Sequence, residues 1–392
     1  MTQEPIPLAR PDIGVREEEL VFDAVSSERL ALGPRMAQFE TALAAWLEAG
    51  HVSAVSSGTA GLHLAIRAAG VERGDDVVTT PFSFVASANC LLYEGATPVF
   101  CDIDRRSLNI DPEAAAAAVG DKTSGLLPVH IFGYPADMPA LERLAQQRGL
   151  WIVEDACEAL GAVHADGAVV GARDNLSVFG FYPNKQLTTG EGGALVSPSP
   201  ELKERIDSER NQGRAPDMGW LDHDRLGFNY RLDELSCALG LAQLERLDEL
   251  LEARARAAAL YAQALPGIEG LELPCPDEGG DVRSWFVYVV QLPPGVDRDA
   301  TVVALRERGI DSKPYLPAIH LMSFYRKRFG HREGEFPVCE DIARRSIALP
   351  FFTQLAEGQV DRVASALREA VESQLTGLTS ATNPGSPRAG GR

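Results

Sequence analysis

The sequence predicts an α/β fold: a large domain on a mostly parallel sheet with helices on both faces, followed by a small C-terminal α+β domain. Three observations carry this. From about residue 36 to 200, short β-branched runs alternate with helical patterns, and such a series implies parallel strands joined by helical crossovers. From Arg231 to about Leu265 one long helical pattern separates this region from a shorter mixed one. A chain of 392 residues exceeds one ordinary domain and is short for three. The expected boundaries are 1–250 for the large domain with its N-terminal arm, 251–375 for the small domain and 376–392 for a disordered tail.

The elements follow in order. HVSAVSS (51–57) leads into TAGLHLAIRAAG, DDVVTT (75–80) into FVASANCLLYEG, and TPVFCDID (97–104) into DPEAAAAAVG. SGLLPVHIFG (124–133) leads into ADMPALERLAQQRG, with LWIVED (150–155) next. NLSVFGF (175–181) and GALVS (193–197) read as two further strands. SWFVYVVQL (284–292), TVVALRERG and IALPFF suggest the small domain, closed by the helix AEGQVDRVASALREAVESQL. The tail TGLTSATNPGSPRAGGR is rich in Gly, Ser, Thr and Pro and buries too little apolar surface to order itself. In open parallel sheets ligands bind beyond the carboxyl ends of the strands, so residues just after these runs are the first functional candidates.

Composition narrows the function. Hydrophobic residues make up 45% and charged residues 24%, the balance of a soluble globular protein. A formal net charge of −19 argues against a nucleic-acid or anionic-membrane binder, which needs basic surface. The six cysteines, at 90, 101, 157, 237, 275 and 339, form no C-x-x-C pair. That is neither a disulfide framework nor a zinc signature, and it fits a reducing cytoplasm. The start MTQEPIPLARPDIG lacks the basic-then-apolar pattern of a secretion signal. No apolar run approaches the ~18 residues that cross a bilayer.

Four positions carry candidate chemistry. Ser57, Gly58 and Thr59 lie where a strand becomes a helix, a place where free N–H groups and the helix dipole favour an anion; the same residues also fit simple N-capping. Asp155 ends LWIVED at the functional edge. A buried carboxylate needs a partner, either a protonated ring nitrogen or a structural cap or ion pair. Lys185, in FYPNKQLTTGEGGAL, stands between an apolar run and a glycine-rich turn. A lysine desolvated there loses its proton, attacks an aldehyde to form a Schiff base, and later moves a proton as general base; the competing reading is an ordinary surface lysine. Phe84, in PFSFVAS, offers a ring to stack on or plain core packing. Phosphate cradle, carboxylate and lysine occur in the order that pyridoxal phosphate requires.

These blocks, with SSGTAGLHLA, PVHIFGYPADM, VEDACEALGA, LGFNYRLDELSCALGLAQL, LPAIH and SIALP, resemble the DegT/DnrJ/EryC1/StrS sugar aminotransferases over roughly residues 6 to 372. That family is a branch of the fold-type I pyridoxal phosphate enzymes. The resemblance implies that Lys185 holds the cofactor, Asp155 pairs with the pyridine nitrogen, Phe84 lies against the ring, and Gly58 and Thr59 with Ser57 bind the phosphate. Glu158 occupies the position near the cofactor's hydroxyl. Gly180 stands where the family often has a phosphate-binding serine, leaving water or Ser177 to supply that contact. Asn229 matches the residue that reaches the phosphate from a neighbouring subunit, which implies a homodimer with shared sites. Lysine in place of histidine argues against the dehydratase branch. The implied reaction moves nitrogen from glutamate, through pyridoxamine phosphate, to a nucleotide-linked keto-hexose. His320, Arg326 and Lys327 are the implied substrate-side residues; the basic stretch YRKRFGHR (325–332) also reads as a solvated helix end. A keto-cyclitol acceptor, or a non-catalytic cofactor-bound regulator, are the alternative readings.

Overall fold

The computed structural model describes residues 4–215 and 222–381. Seven strands form one sheet: β1 (His51–Val55), β2 (Asp76–Thr79), β3 (Thr97–Phe100), β4 (Thr123–Leu127), β5 (Trp151–Asp155), β6 (Leu176–Gly180) and β7 (Gly193–Ser197), in the order β1-β7-β6-β5-β4-β2-β3. The five strands from β3 to β6 pair in parallel. β7 alone runs against both of its neighbours.

Strand periodicity explains why the runs read as continuously apolar. Val55, Val77, Leu127, Val153, Val178 and Leu195 face one side, into a cluster with Leu62, Ala65 and Ile66 of the helix Gly58–Ala68. The alternate residues face the other side. There Ala54, Phe179, Ala194 and Val196 meet Phe39, Leu43 and Leu47 of the helix Pro34–Leu47. Val78, Leu126 and Ile152 meet Met138, Leu141 and Ala145 of the helix Met138–Arg148. Both faces are covered, so both sets must be hydrophobic.

The long pattern after Arg231 is two helices, Glu234–Glu245 and Leu247–Ala264, joined at Arg246 with φ −128° and ψ 23°. The periodicity misses this break because helix-forming residues flank it on both sides. At the joint the Arg246 guanidinium pairs with Asp12 at 2.9 Å and Glu17 at 2.8 Å, which anchors the N-terminal region to the corner.

Beyond it, β8 (Tyr288–Gln291), β9 (Lys313–Pro314) and β10 (Ser346–Leu349) form an antiparallel sheet of order β8-β10-β9. Tyr261, Val290, Ile347, Val363 and Leu367 fill its core, and Ile6 of the N-terminal arm joins them. The Ile6 N–H donates to Gly309 O at 2.9 Å and its carbonyl accepts from Asp311 N at 3.0 Å. The arm expected with the large domain is therefore fastened, at its start, to the second sheet's core. The last helix, Glu357–Ala381, runs six residues past the expected end at 375; the rest of the anticipated tail, 382–392, lies outside the described residues. No helix among the described residues is long and apolar enough to cross a membrane.

Candidate active site

A cavity of about 510 Å³ opens at the carboxyl ends of β1, β5 and β6. Ser57, Gly58 and Thr59 from the end of β1, Asp155 and Glu158 from the end of β5, and Lys185 and Phe84 all line it.

Ser57 caps the helix Gly58–Ala68: its backbone is extended (φ −168°, ψ 161°) and its Oγ accepts from Ala60 N at 3.1 Å. The capping reading holds, and it leaves the first turn's amides presented to the cavity. Gly58 is required by close approach: a Cβ there would lie 2.8 Å from Cys157 Sγ. Cys157 also accounts for Gly180. A Cβ at 180 would be 3.3 Å from Cys157 Cβ, so the usual serine would be crowded. Ser177 does not replace it, because it projects from β6 with Phe179, away from the Gly180 face, and is absent from the cavity lining. Its buried Oγ has no partner.

Asp155 is 5% exposed and both its oxygens are fixed by neutral donors. Ser87 Oγ donates to Oδ2 at 2.6 Å, and Cys157 N donates to Oδ1 at 3.1 Å. The carboxylate is therefore oriented, and among the described residues no protein cation pairs with it. Such a group suits a protonated ring nitrogen.

Lys185 is held by its own turn, its N–H donating to Tyr182 O at 2.9 Å. Its side chain is 14% exposed, with Nζ 3.8 Å from Glu158 Oε1 and 3.7 Å from the centre of the Phe286 ring. Glu158 Oε2 accepts from Phe132 N at 2.9 Å. Burial pushes the Glu158 carboxyl above its ordinary range, against the opposing pull of Lys185 and the Phe132 amide. Burial also raises the Tyr315 phenol, with the Glu158 charge adding to it.

Several contributors carry no signal that sequence reasoning picked up. Phe286 and Tyr315 wall the cavity, Ser87 orients Asp155, and Asn184 lines it with a buried Oδ1 that has no partner. Gln186 Nε2 donates to Glu158 O at 2.6 Å and Ser284 Oγ at 2.8 Å. Ser87 lies three residues after Phe84 in PFSFVAS, in the first turn of the helix Ala86–Glu94, and that closeness is the signal that would have flagged it.

Three residues expected on the substrate side lie elsewhere. His320 is fully buried in a turn (Ile319–Leu321), its Nε2 3.2 Å from Glu340 Oε1 and its ring edge-on to Phe336 at 4.7 Å. Burial lowers its pKa, with Glu340 opposing. It is placed in the core, not at the cavity, because Glu340 supplies the partner that lets an imidazole be buried. Arg326 and Lys327 are exposed on the helix Ser323–Phe329 and do not line the cavity. Asn229, expected to serve a neighbouring subunit's site, is exposed and lies outside this chain's own lining.

The residues present fit pyridoxal phosphate. A helix N-terminus with a glycine cradle suits the phosphate, an oriented carboxylate without a protein counter-ion suits the ring nitrogen, and a sheltered lysine suits the aldehyde. Among the described residues no group of His, Cys, Asp or Glu is placed to hold a metal.

The DegT/DnrJ/EryC1/StrS aminotransferase family profile matches residues 11–368. The spore coat polysaccharide biosynthesis protein SpsC of Bacillus subtilis is 35% identical over 380 residues, covering 94% of this chain and 97% of that protein. Among solved structures, DesV of S. venezuelae superposes with a TM-score of 0.88 at 34% identity, over 94% of this chain and 99% of that chain. The sugar aminotransferase CalS13 of Micromonospora echinospora gives 0.85 at 29% identity, over 93% and 99%. The chain thus belongs to the DegT/DnrJ/EryC1/StrS family of pyridoxal-phosphate-dependent enzymes and is a sugar aminotransferase.

Proposed function

We propose that the enzyme moves an amino group from glutamate to a nucleotide-linked 3- or 4-keto-hexose in amino-sugar biosynthesis, in the cytoplasm. The observation that carries this reading is the convergence of Lys185, Asp155 and the Ser57–Thr59 turn on one cavity. SpsC, by its name a polysaccharide biosynthesis protein, and the sugar aminotransferase CalS13 support a sugar acceptor.

When bound, pyridoxal phosphate supplies an aldehyde that exchanges for an amine and a ring that accepts an electron pair. The chain's own residues do the rest. The amides and hydroxyls of Ser57, Gly58 and Thr59 hold the phosphate. Asp155, oriented by Ser87 and Cys157, keeps the ring nitrogen protonated. Lys185 would hold the aldehyde through its Nζ and, with that amine free, would move the proton as general base. Phe84, which is 61% exposed at the mouth, covers one face of the ring. Glu158 would lie near the ring hydroxyl, and burial there disfavours its charged form. Arg326 and Lys327 lie outside the cavity and suit a diphosphate extending from it.

The reading includes a two-fold dimer in which Asn229 reaches the partner's phosphate. Phe84 and Tyr182, which is 54% exposed, leave aromatic surface at the mouth for a second copy to cover. Mixing Asn229→Asp with Lys185→Ala subunits is expected to restore about a quarter of the sites, since half the dimers are mixed and one site in each collects both lesions. No recovery would assign Asn229 to its own chain.

The acceptor is tested by converting the enzyme to its amine form with glutamate, then offering a panel of nucleotide keto-sugars and nucleotide-free keto-cyclitols. Return of the visible absorbance with a nucleotide keto-sugar supports the proposal. Return with the cyclitols alone overturns the acceptor, and failure of glutamate to bleach the resting colour overturns the donor.

A further inference from the structure

We propose that Arg254 is a positioning residue that sets where the amine of Lys185 sits, an inference that rests on the reading of Lys185 as the cofactor lysine. Arg254 lies on the helix Leu247–Ala264 and is 4% exposed. Its guanidinium bonds to carbonyl oxygens of two separate backbones. Nη2 donates to Lys185 O at 2.7 Å and Asn184 O at 3.2 Å. Nη1 donates to Phe286 O at 3.2 Å and Trp285 O at 3.4 Å. Nε has no partner. One side chain thus ties the lysine's own carbonyl to the strand entry that carries Phe286, and the Phe286 ring is the surface 3.7 Å from Lys185 Nζ.

Packing alone does not call for arginine here. A guanidinium buried without a carboxylate pair is costly, and methionine would fill similar volume without that cost. What arginine adds is a rigid planar fork that can bond two backbones at once, which neither lysine nor methionine can do. Burial lowers the guanidinium pKa to about 10, and the charge of Asp12 only partly opposes this. It therefore stays charged at neutral pH. Gln186 makes a second tie of the same kind, bonding Glu158 O and Ser284 Oγ. Together the two side chains lock residues 184–186 to residues 284–286. Because misplacement of a reacting group by about 1 Å costs on the order of 10²-fold, the tie sets reactivity while touching neither cofactor nor substrate.

The test uses Arg254→Met and Arg254→Lys in the full chain, with two readouts. In protein stripped of cofactor, amide hydrogen exchange over residues 183–187 is expected to quicken about tenfold or more in both variants, with β4 unchanged. After pyridoxal phosphate is added, borohydride trapping at Lys185 is expected to slow about tenfold or more, again in both. If Arg254 merely fills space, Arg254→Met will match the wild type in both readouts, and the proposal is overturned. Should neither variant fold, wild-type protein labelled at arginine side chains decides. Separate, slowly rotating Nη resonances for Arg254 are expected from a guanidinium bonded on both sides, and averaged resonances overturn the proposal. Trapping of the wild type on another lysine would instead remove the cofactor-lysine reading, while the exchange data still report on the tie.

Discussion

The two walls of the cavity are held in different ways. On the sheet side, Asp155 sits at the end of β5 and is aimed by Ser87 and by the amide two residues on. Its position follows from strand pairing; one donor is local to the strand end and the other comes from the helix Ala86–Glu94. On the opposite side, Phe286 and Tyr315 come from more than a hundred residues further along the chain, and the segment carrying Phe286 is held to the lysine turn by Arg254 and Gln186. One wall is a product of secondary structure; the other depends on individual polar side chains bonded to backbone. The sheet wall should therefore tolerate changes on the far side, while the far wall should respond to single substitutions near it.

Substitutions rank the two walls. Lys185→Ala, at the junction, is expected to abolish turnover, a loss of about 10⁴-fold or more given the worth of a positioned base together with the lost covalent attachment. Its melting temperature without cofactor should stay close to wild type, because the side chain fills no core. Steady-state kinetics and a thermal melt check both. Asp155→Asn, on the sheet wall, is next. Loss of an opposite charge shifts a partner's pKa by about 1–3 units, so activity should fall roughly 10–10³-fold. Activity at the parent's rate would make the carboxylate merely structural.

Phe286→Leu, on the far wall, removes a cation–π contact worth about 0.5–1 kcal/mol, so a two- to fivefold loss in turnover is expected. Turnover unchanged from wild type would mean that the far wall does not respond to single substitutions in the way described. Glu158→Gln is the smallest in activity and is read through pH. The folded pKa of Glu158 lies above its ordinary 4.5. Its contribution to stability is thus complete below about pH 4.5 and is lost as pH rises through the folded value. In cofactor-free protein the glutamine variant should melt like the wild type near pH 4 and on the order of a few degrees higher at pH 7 to 8. Equal melting at both pH values would show that the carboxyl is not destabilised by burial.

The sequence was informative where chemistry follows local pattern. Each strand of the large sheet was readable, since a run buried on both faces is mostly apolar, even where Ser53, Glu154 or Ser177 interrupts it. Lys185, Asp155 and Ser57–Thr59 were readable because each lies at a strand end. Phe286, Tyr315 and Arg254 were not, because no periodicity links a helix residue at 254 to carbonyls at 185 and 286. Arg254 looks like any other charge on an amphipathic helix until the packing places it. His320 illustrates the converse, since its burial depends on Glu340, twenty residues later. The break at Arg246 was invisible for the same reason: what holds it is Asp12 and Glu17, more than two hundred residues earlier.

The most direct measurement is borohydride reduction of the enzyme with bound pyridoxal phosphate, followed by peptide mapping. The expected result is one modified residue, Lys185, at one cofactor per chain, with label lost when glutamate is added before the borohydride. Label on any other lysine, or on none, would contradict the assignment on which the site is built.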